Sequence, residues 1–396
     1  MMGTVWPSVA KTFLDLGARS VLVFILLEGL ASTWGVARET LDVVRAASDT
    51  SGRVQFDPEL GWVSKPNLEV DDAFGPGKDI RINSQGFRAL KEHSKHTPGG
   101  KVRILSSGDS FTWGDGVGNG STWVDQLAKI DPDVETINIA QNGYGADQAY
   151  LRYRREGPRY DHQLHVFAFI GLDFDRMRDQ SFFGSPKPVL QLAGEDLEVA
   201  NQPLAERGRW RFWSIMALRQ VFTLQFPQVL MDLYVREHAI GRQGDRTVPV
   251  DRELETLVFK LFEEVAASTQ NNGSRLAVVY LPTMTDYAPD PRLDRWRETL
   301  KSELGRREIV YFDLIEEFRG LRPEDGDTLF IPPGSNLALL GAGHYSEEGH
   351  AYFGSLIYRN LCSVPSIARD LGNCEAASPL DQTELTLLRV KRDTRM

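Results

Sequence analysis

The stretch Val102-Arg103-Ile104-Leu105-Ser106-Ser107-Gly108-Asp109-Ser110-Phe111-Thr112-Trp113-Gly114 decides how this chain is read. Its opening, 102–105, is a short apolar run of strand type. Gly108 permits a tight turn where the strand ends, and a helical pattern begins near Thr122. This order places the Ser110 hydroxyl at the carboxyl end of a strand, where open α/β sheets bind ligands. A serine so placed is a candidate nucleophile if a base can reach it. The same residues also suit a plain strand-to-loop turn capped by Asp109 or Ser110.

Working outward, strand-like runs recur at 102–105, 136–139, 165–170, 276–281 and 309–312, and helix-like segments fill 123–130, 146–155, 251–270 and 293–304. Strands alternating with helices predict a mainly parallel sheet covered on both faces, and near-continuous apolar runs are what buried parallel strands show. The rhythm breaks over 178–248. Within it, 189–192 and 196–199 form a potential hairpin across Ala193-Gly194-Glu195. Trp210, Phe212, Trp213, Phe222 and Phe226 then mark an aromatic stretch that reads as an inserted helical pair packed on the core, a lid, a partner surface or a membrane-facing patch. Ahead of the first strand, 41–100 is turn-rich, and the run from His93 to Gly100 reads as a linker. The expected organisation is therefore an N-terminal apolar segment over 1–40, an extension over 41–100, an α/β domain over 101–365, and a polar tail over 366–396.

Composition narrows the function. A formal net charge of -10 argues against a nucleic-acid surface, which needs a basic face. The segment 20–37, SVLVFILLEGLASTWGVA, is apolar except for Glu28. Spanning helices take roughly 17–25 residues, and an acid near the centre costs about 2.5–3.5 kcal/mol by analogy with Asp. A single membrane anchor, a signal peptide cleaved after Ala37, and a buried helix are the three readings. The first two put the rest of the chain outside the cytoplasm. Cys362 and Cys374 lie close in sequence, so one disulfide or two free thiols are both open.

Seven histidines are available as a base. His93 and His96 lie in the linker, His162 and His165 flank a strand start, and His238 follows the aromatic stretch. His344 stands in the Gly-rich loop Gly341-Ala342-Gly343-His344-Tyr345-Ser346 just before a helix, where catalytic groups are often carried. His350 falls inside that helix. An N-terminal helix residue making a local hydrogen bond is the bland reading of His344. Gly143 and Gly145, in Asn138-Ile139-Ala140-Gln141-Asn142-Gly143-Tyr144-Gly145, let backbone amides approach a ligand, or simply shape a turn. The run Gly114-Asp115-Gly116-Val117-Gly118-Asn119-Gly120 lacks the lysine and spacing of a phosphate-binding loop.

Taken in order, these blocks resemble the SGNH (GDSL-type) hydrolase family, and more narrowly its bacterial membrane-anchored members. The resemblance runs over about residues 20 to 362. It is carried by Gly108-Asp109-Ser110-Phe111-Thr112, by Asn138 with Gly143-Tyr144-Gly145, by His344 with His350, and by the earlier Asp57–Trp62 and Asn83–Arg88 blocks. It implies a flavodoxin-like three-layer α/β/α fold and hydrolysis or transfer of an ester-linked acyl group, often acetyl on a carbohydrate. It implies Ser110 as nucleophile, Gly143 as oxyanion donor and His344 as general base, with no cofactor and no metal. The expected partners are an ester-bearing small molecule or polysaccharide and, through the N-terminal segment, a membrane.

Two positions depart from the family pattern. Leu172 stands where an asparagine donates to the oxyanion, and Gly341 stands where an aspartate orients the histidine. Asp325 and Asp327 are the nearest upstream acids. Removing one oxyanion donor typically costs ~10²–10³ in rate. Two function classes follow: an active acyl-ester hydrolase or O-acyltransferase, and a degenerate relative that binds an acylated glycan or a partner protein.

Overall fold

The computed structural model describes residues 16–34, 37, 52–182, 184–194, 196–206, 252–332 and 343–374. The aromatic stretch after residue 206, His238, Gly341 and the tail beyond Cys374 lie outside them.

Five parallel strands make the central sheet: β1 (Val102–Ser107), β2 (Val134–Asn138), β3 (Leu164–Phe169), β4 (Arg275–Tyr280) and β5 (Val310–Asp313). Their spatial order is β5-β4-β3-β1-β2. This is the 2-1-3-4-5 order of flavodoxin-like folds, with a topological switch between β1 and β3. The connecting helices are α1 (Trp123–Ile130), α2 (Ala146–Glu156), α3 (Arg252–Asn271) and α4 (Pro291–Arg306), and α5 (Glu347–Cys362) follows the last strand.

Alternation along β3 shows why the strands are apolar throughout. Val166 and Ala168 pack with Trp123, Leu127, Phe353 and Ile357 of α1 and α5. Phe167 and Phe169 point the other way, to Val258, Phe262, Trp296 and Leu300 of α3 and α4. A strand buried on both faces leaves no polar alternate position. Helix starts follow from capping. Thr122 and Asp125 form a reciprocal capping box at α1, and Ser346 Oγ accepts from Gly349 N–H at 3.0 Å to begin α5.

The extension before β1 is part of this domain rather than a tether. Its hairpin Val54–Asp57 with Gly61–Ser64 docks through Tyr144, whose hydroxyl donates to Trp62 O at 2.6 Å. The 93–100 run, expected as a linker, is held by Arg103, fully buried at the start of β1. Its guanidinium donates to Lys95 O at 3.1 Å and His96 O at 3.0 Å. In the inserted region, Leu190–Ala193 pairs antiparallel with Asp196–Val199. Ile367 and Leu371 join the core beyond residue 366, and a Cys362–Cys374 disulfide closes that end, with the two Cα atoms 5.5 Å apart. Ile367 and Leu371 thus carry the core into the first residues of the stretch expected as tail.

Near the amino terminus, Leu16–Trp34 is a 19-residue helix of mean hydropathy 1.5 in its most apolar window, and none of that window is buried. By length and composition it is able to cross a membrane.

Candidate active site

Ser110 opens a one-turn helix, Ser110–Trp113, directly after β1. Gly108 is required there by space: a Cβ would stand 2.5 Å from both Ala168 O and Thr112 Oγ1. Only glycine lets this turn lie against β3, at the switch between β1 and β3. Asp109 caps the turn, its Oδ1 accepting from Phe111 N–H at 2.9 Å. Ser110 is 5% exposed.

His344 Nε2 lies 2.8 Å from Ser110 Oγ. The imidazole arrives on a braced loop. Gly343 N–H donates to Ile331 O and Ile331 N–H to His344 O, both at 2.8 Å. Tyr345 OH donates to Pro282 O at 2.6 Å, beyond the end of β4, and the Phe111 ring lies 4.7 Å from the imidazole.

Gly143 sits in the loop after β2 with φ +77°, and a Cβ there would stand 2.5 Å from Phe182 Cε1. Phe182 stacks on Trp62 with ring centroids 5.9 Å apart. The loop is tied to the nucleophile turn, since Gln141 N–H donates to Gly108 O at 3.2 Å. Gln141 Oε1 accepts from Ser64 N–H, Ser64 Oγ and Arg152, each at 2.9 Å, so the extension before β1 fixes this loop too. The N–H groups of Ser110 and Gly143 donate to no described residue. For Ser110 this follows from its place at the start of a helix.

Leu172, at the expected asparagine position, begins the short helix Leu172–Arg176 and is 37% exposed. Asp173 beside it is buried, with Oδ2 accepting from Ile170 N–H at 3.1 Å and Oδ1 from Arg176 at 2.8 Å. Burial, reinforced by the nearby Asp109 charge, pushes the Asp173 carboxyl well above the carboxylate range. Burial also raises Asp109, against the pull of Arg176. Asp325, one of the two upstream acids, accepts from Arg322 Nε at 2.7 Å.

The remaining described histidines are engaged away from Ser110. His350 Nδ1 accepts from Trp123 N–H at 3.0 Å. His96 pairs with Asp161 on the surface. His165 forms a second serine–histidine pair, with Ser107 Oγ 2.7 Å from Nε2 and Thr269 Oγ1 2.9 Å from Nδ1. That pair is fully enclosed and stacked on Tyr153, so no substrate reaches it, and burial holds the His165 imidazole neutral by depressing its proton affinity. Phe182 and Arg176 are additions to the site that motif reading passes over, and Trp62, the last residue of the Asp57–Trp62 block, joins them by stacking on Phe182. The only signal for Arg176 is its spacing three residues after Asp173, which suits a helical ion pair.

No family model and no curated protein matches the chain. Solved structures with a similar arrangement include a member of the lipolytic protein G-D-S-L family from Veillonella parvula, 13% identical, covering 65% of this chain and 97% of that one at a TM-score of 0.34. A lipase/acylhydrolase from Enterococcus faecalis is 13% identical over 66% of this chain and 96% of its own, at a TM-score of 0.35. An acetyl xylan esterase, AlAXEase, is 8% identical over 65% and 98%, at 0.36. At such identities and TM-scores, function has to be argued from this chain's own residues.

Proposed function

We propose that this chain is an acyl-ester hydrolase or O-acyltransferase of SGNH type, working through a serine acyl-enzyme. The observation that carries the reading is the 2.8 Å contact between His344 Nε2 and Ser110 Oγ at the switch point of the sheet. His344 takes the Ser110 proton as Oγ attacks the ester carbonyl carbon. The oxyanion that forms is held by the N–H groups of Ser110 and Gly143. On collapse, the leaving alkoxide takes the proton from His344. Water or an acceptor hydroxyl then attacks the acyl-enzyme, with His344 again accepting the proton, and Ser110 is regenerated. The ester is expected to be a small acyl group, acetyl in the first instance, on a carbohydrate. The apolar helix Leu16–Trp34 and the Cys362–Cys374 disulfide support a membrane-anchored protein whose catalytic domain lies outside the cytoplasm.

One observation favours a second reading. Leu172 presents an apolar, 37% exposed side chain where a donor is expected, which suits a protein that holds an acylated glycan or a partner protein without turning it over. The two readings separate on treatment with a fluorophosphonate and with p-nitrophenyl acetate. The enzyme gives a Ser110 adduct and turnover, both absent in Ser110→Ala. The binder gives neither.

A further inference from the structure

Arg176 touches a residue adjacent to each of the two groups that would stabilise and attack the substrate carbonyl. Its Nη1 lies 2.8 Å from Asp173 Oδ1, 3.0 Å from Tyr144 O and 3.5 Å from Asp109 Oδ2. Tyr144 follows Gly143, and Asp109 precedes Ser110. The side chain is 12% exposed and wedged in place, with its Cβ 3.0 Å from where a Gly145 Cβ would stand. Its guanidinium carbon also lies 5.2 Å from the centroid of Phe182, the ring that closes over Gly143.

Two acceptors compete for the Ser110 hydroxyl proton: His344 Nε2 at 2.8 Å and Asp109 Oδ2 at 3.4 Å. Arg176 faces that same Asp109 oxygen. A cation there makes Oδ2 a poorer acceptor for the hydroxyl and leaves His344 as the partner. The same guanidinium lies against both Asp109 and Asp173, tying the nucleophile turn to the Leu172–Arg176 helix.

We infer that Arg176 is a positioning residue of the acyl-transfer site, which locks the Ser110 turn to the Gly143 loop and keeps the Ser110 proton directed at His344. The inference rests on the acyl-transfer reading of Ser110 and His344. Arg176 acts through Asp109 and Tyr144, so its loss weakens the chemical step rather than substrate binding. Displacement of a reacting group by about 1 Å costs on the order of 10²-fold in rate. All three contacts converge on one nitrogen, and a lysine ammonium also carries three donors on one nitrogen.

The test uses the full chain carrying Arg176→Met, Arg176→Gln and Arg176→Lys. It compares kcat and KM on p-nitrophenyl acetate, the rate of Ser110 labelling by a fluorophosphonate, and the thermal midpoint. Arg176→Met lowers kcat and labelling by about 10²-fold with KM little changed, and Arg176→Lys recovers most of the loss. Should Arg176→Met not fold, Arg176→Gln, which keeps a donor but no charge, carries the comparison with Arg176→Lys. Unchanged kcat in the uncharged variants, or equal losses in Gln and Lys, overturns the positioning role alone. A folded wild-type protein that neither labels nor turns over overturns the acyl-transfer reading and this inference with it.

Discussion

Ser110 and His344 are 234 residues apart in the chain and 2.8 Å apart in space. The first is set by a strand end and the second by a loop braced on Ile331 and Pro282. Two rigid supports, one from each end of the domain, therefore deliver the hydroxyl and the imidazole to a single point above the β1–β3 switch.

The Gly143 loop offers the first prediction. Gly143→Ala puts a methyl group into the Phe182 ring at a left-handed φ of +77°. The N–H group is expected to turn from its position, lowering kcat on p-nitrophenyl acetate by about 10²-fold. Adding Phe182→Ala removes the clash but not the backbone strain, so the double variant recovers only part of the rate. Full recovery would show that the loop's conformation does not matter to the reaction.

Leu172 offers a gain rather than a loss. Leu172→Asn introduces the donor that the family pattern places there, and kcat should rise by roughly tenfold or more, since one such donor is ordinarily worth ~10²–10³. Steady-state kinetics at saturating ester checks it. An unchanged kcat would mean that the Leu172 side chain does not face the oxyanion.

A third prediction concerns pH and stability. Asp115 is buried just beyond the nucleophile helix, its N–H donating to Ser110 O at 3.1 Å. Burial pushes its carboxyl from 3.8 up to about 7, with Arg88 and Arg53 pulling the other way. The folded state thus holds this proton more tightly than the unfolded chain does. The stability it contributes is present at low pH and falls as pH rises from about 3.8 to about 7, then levels off. Asp115→Asn cannot lose that proton. Thermal midpoints measured across this range should therefore show the wild type losing ground to Asp115→Asn as pH rises. Parallel curves would contradict the assignment.

Much of this architecture is legible in the chain because burial on both faces forces apolar strands, and capping residues such as Thr122 mark where helices start. His344 stands out among seven histidines for a local reason, its glycine-rich loop ahead of a helix. What escapes reading depends on distant partners. Arg103 looks like a stray charge in a strand until its acceptors at Lys95 and His96 are in view, and with it the supposed linker becomes part of the sheet's support. The one-turn helix at Ser110 is too short for any periodicity. Phe182, Trp62 and Arg176 gain their roles only when an insertion, an extension and a helix end converge on Gly143.

The most direct test of the central claim is intact-protein mass spectrometry after exposure to a fluorophosphonate, with peptide mapping of the adduct. The account predicts one adduct, on Ser110, absent from Ser110→Ala and slowed in His344→Ala by about 10²–10⁴-fold. Folded wild-type protein that carries no adduct would contradict it.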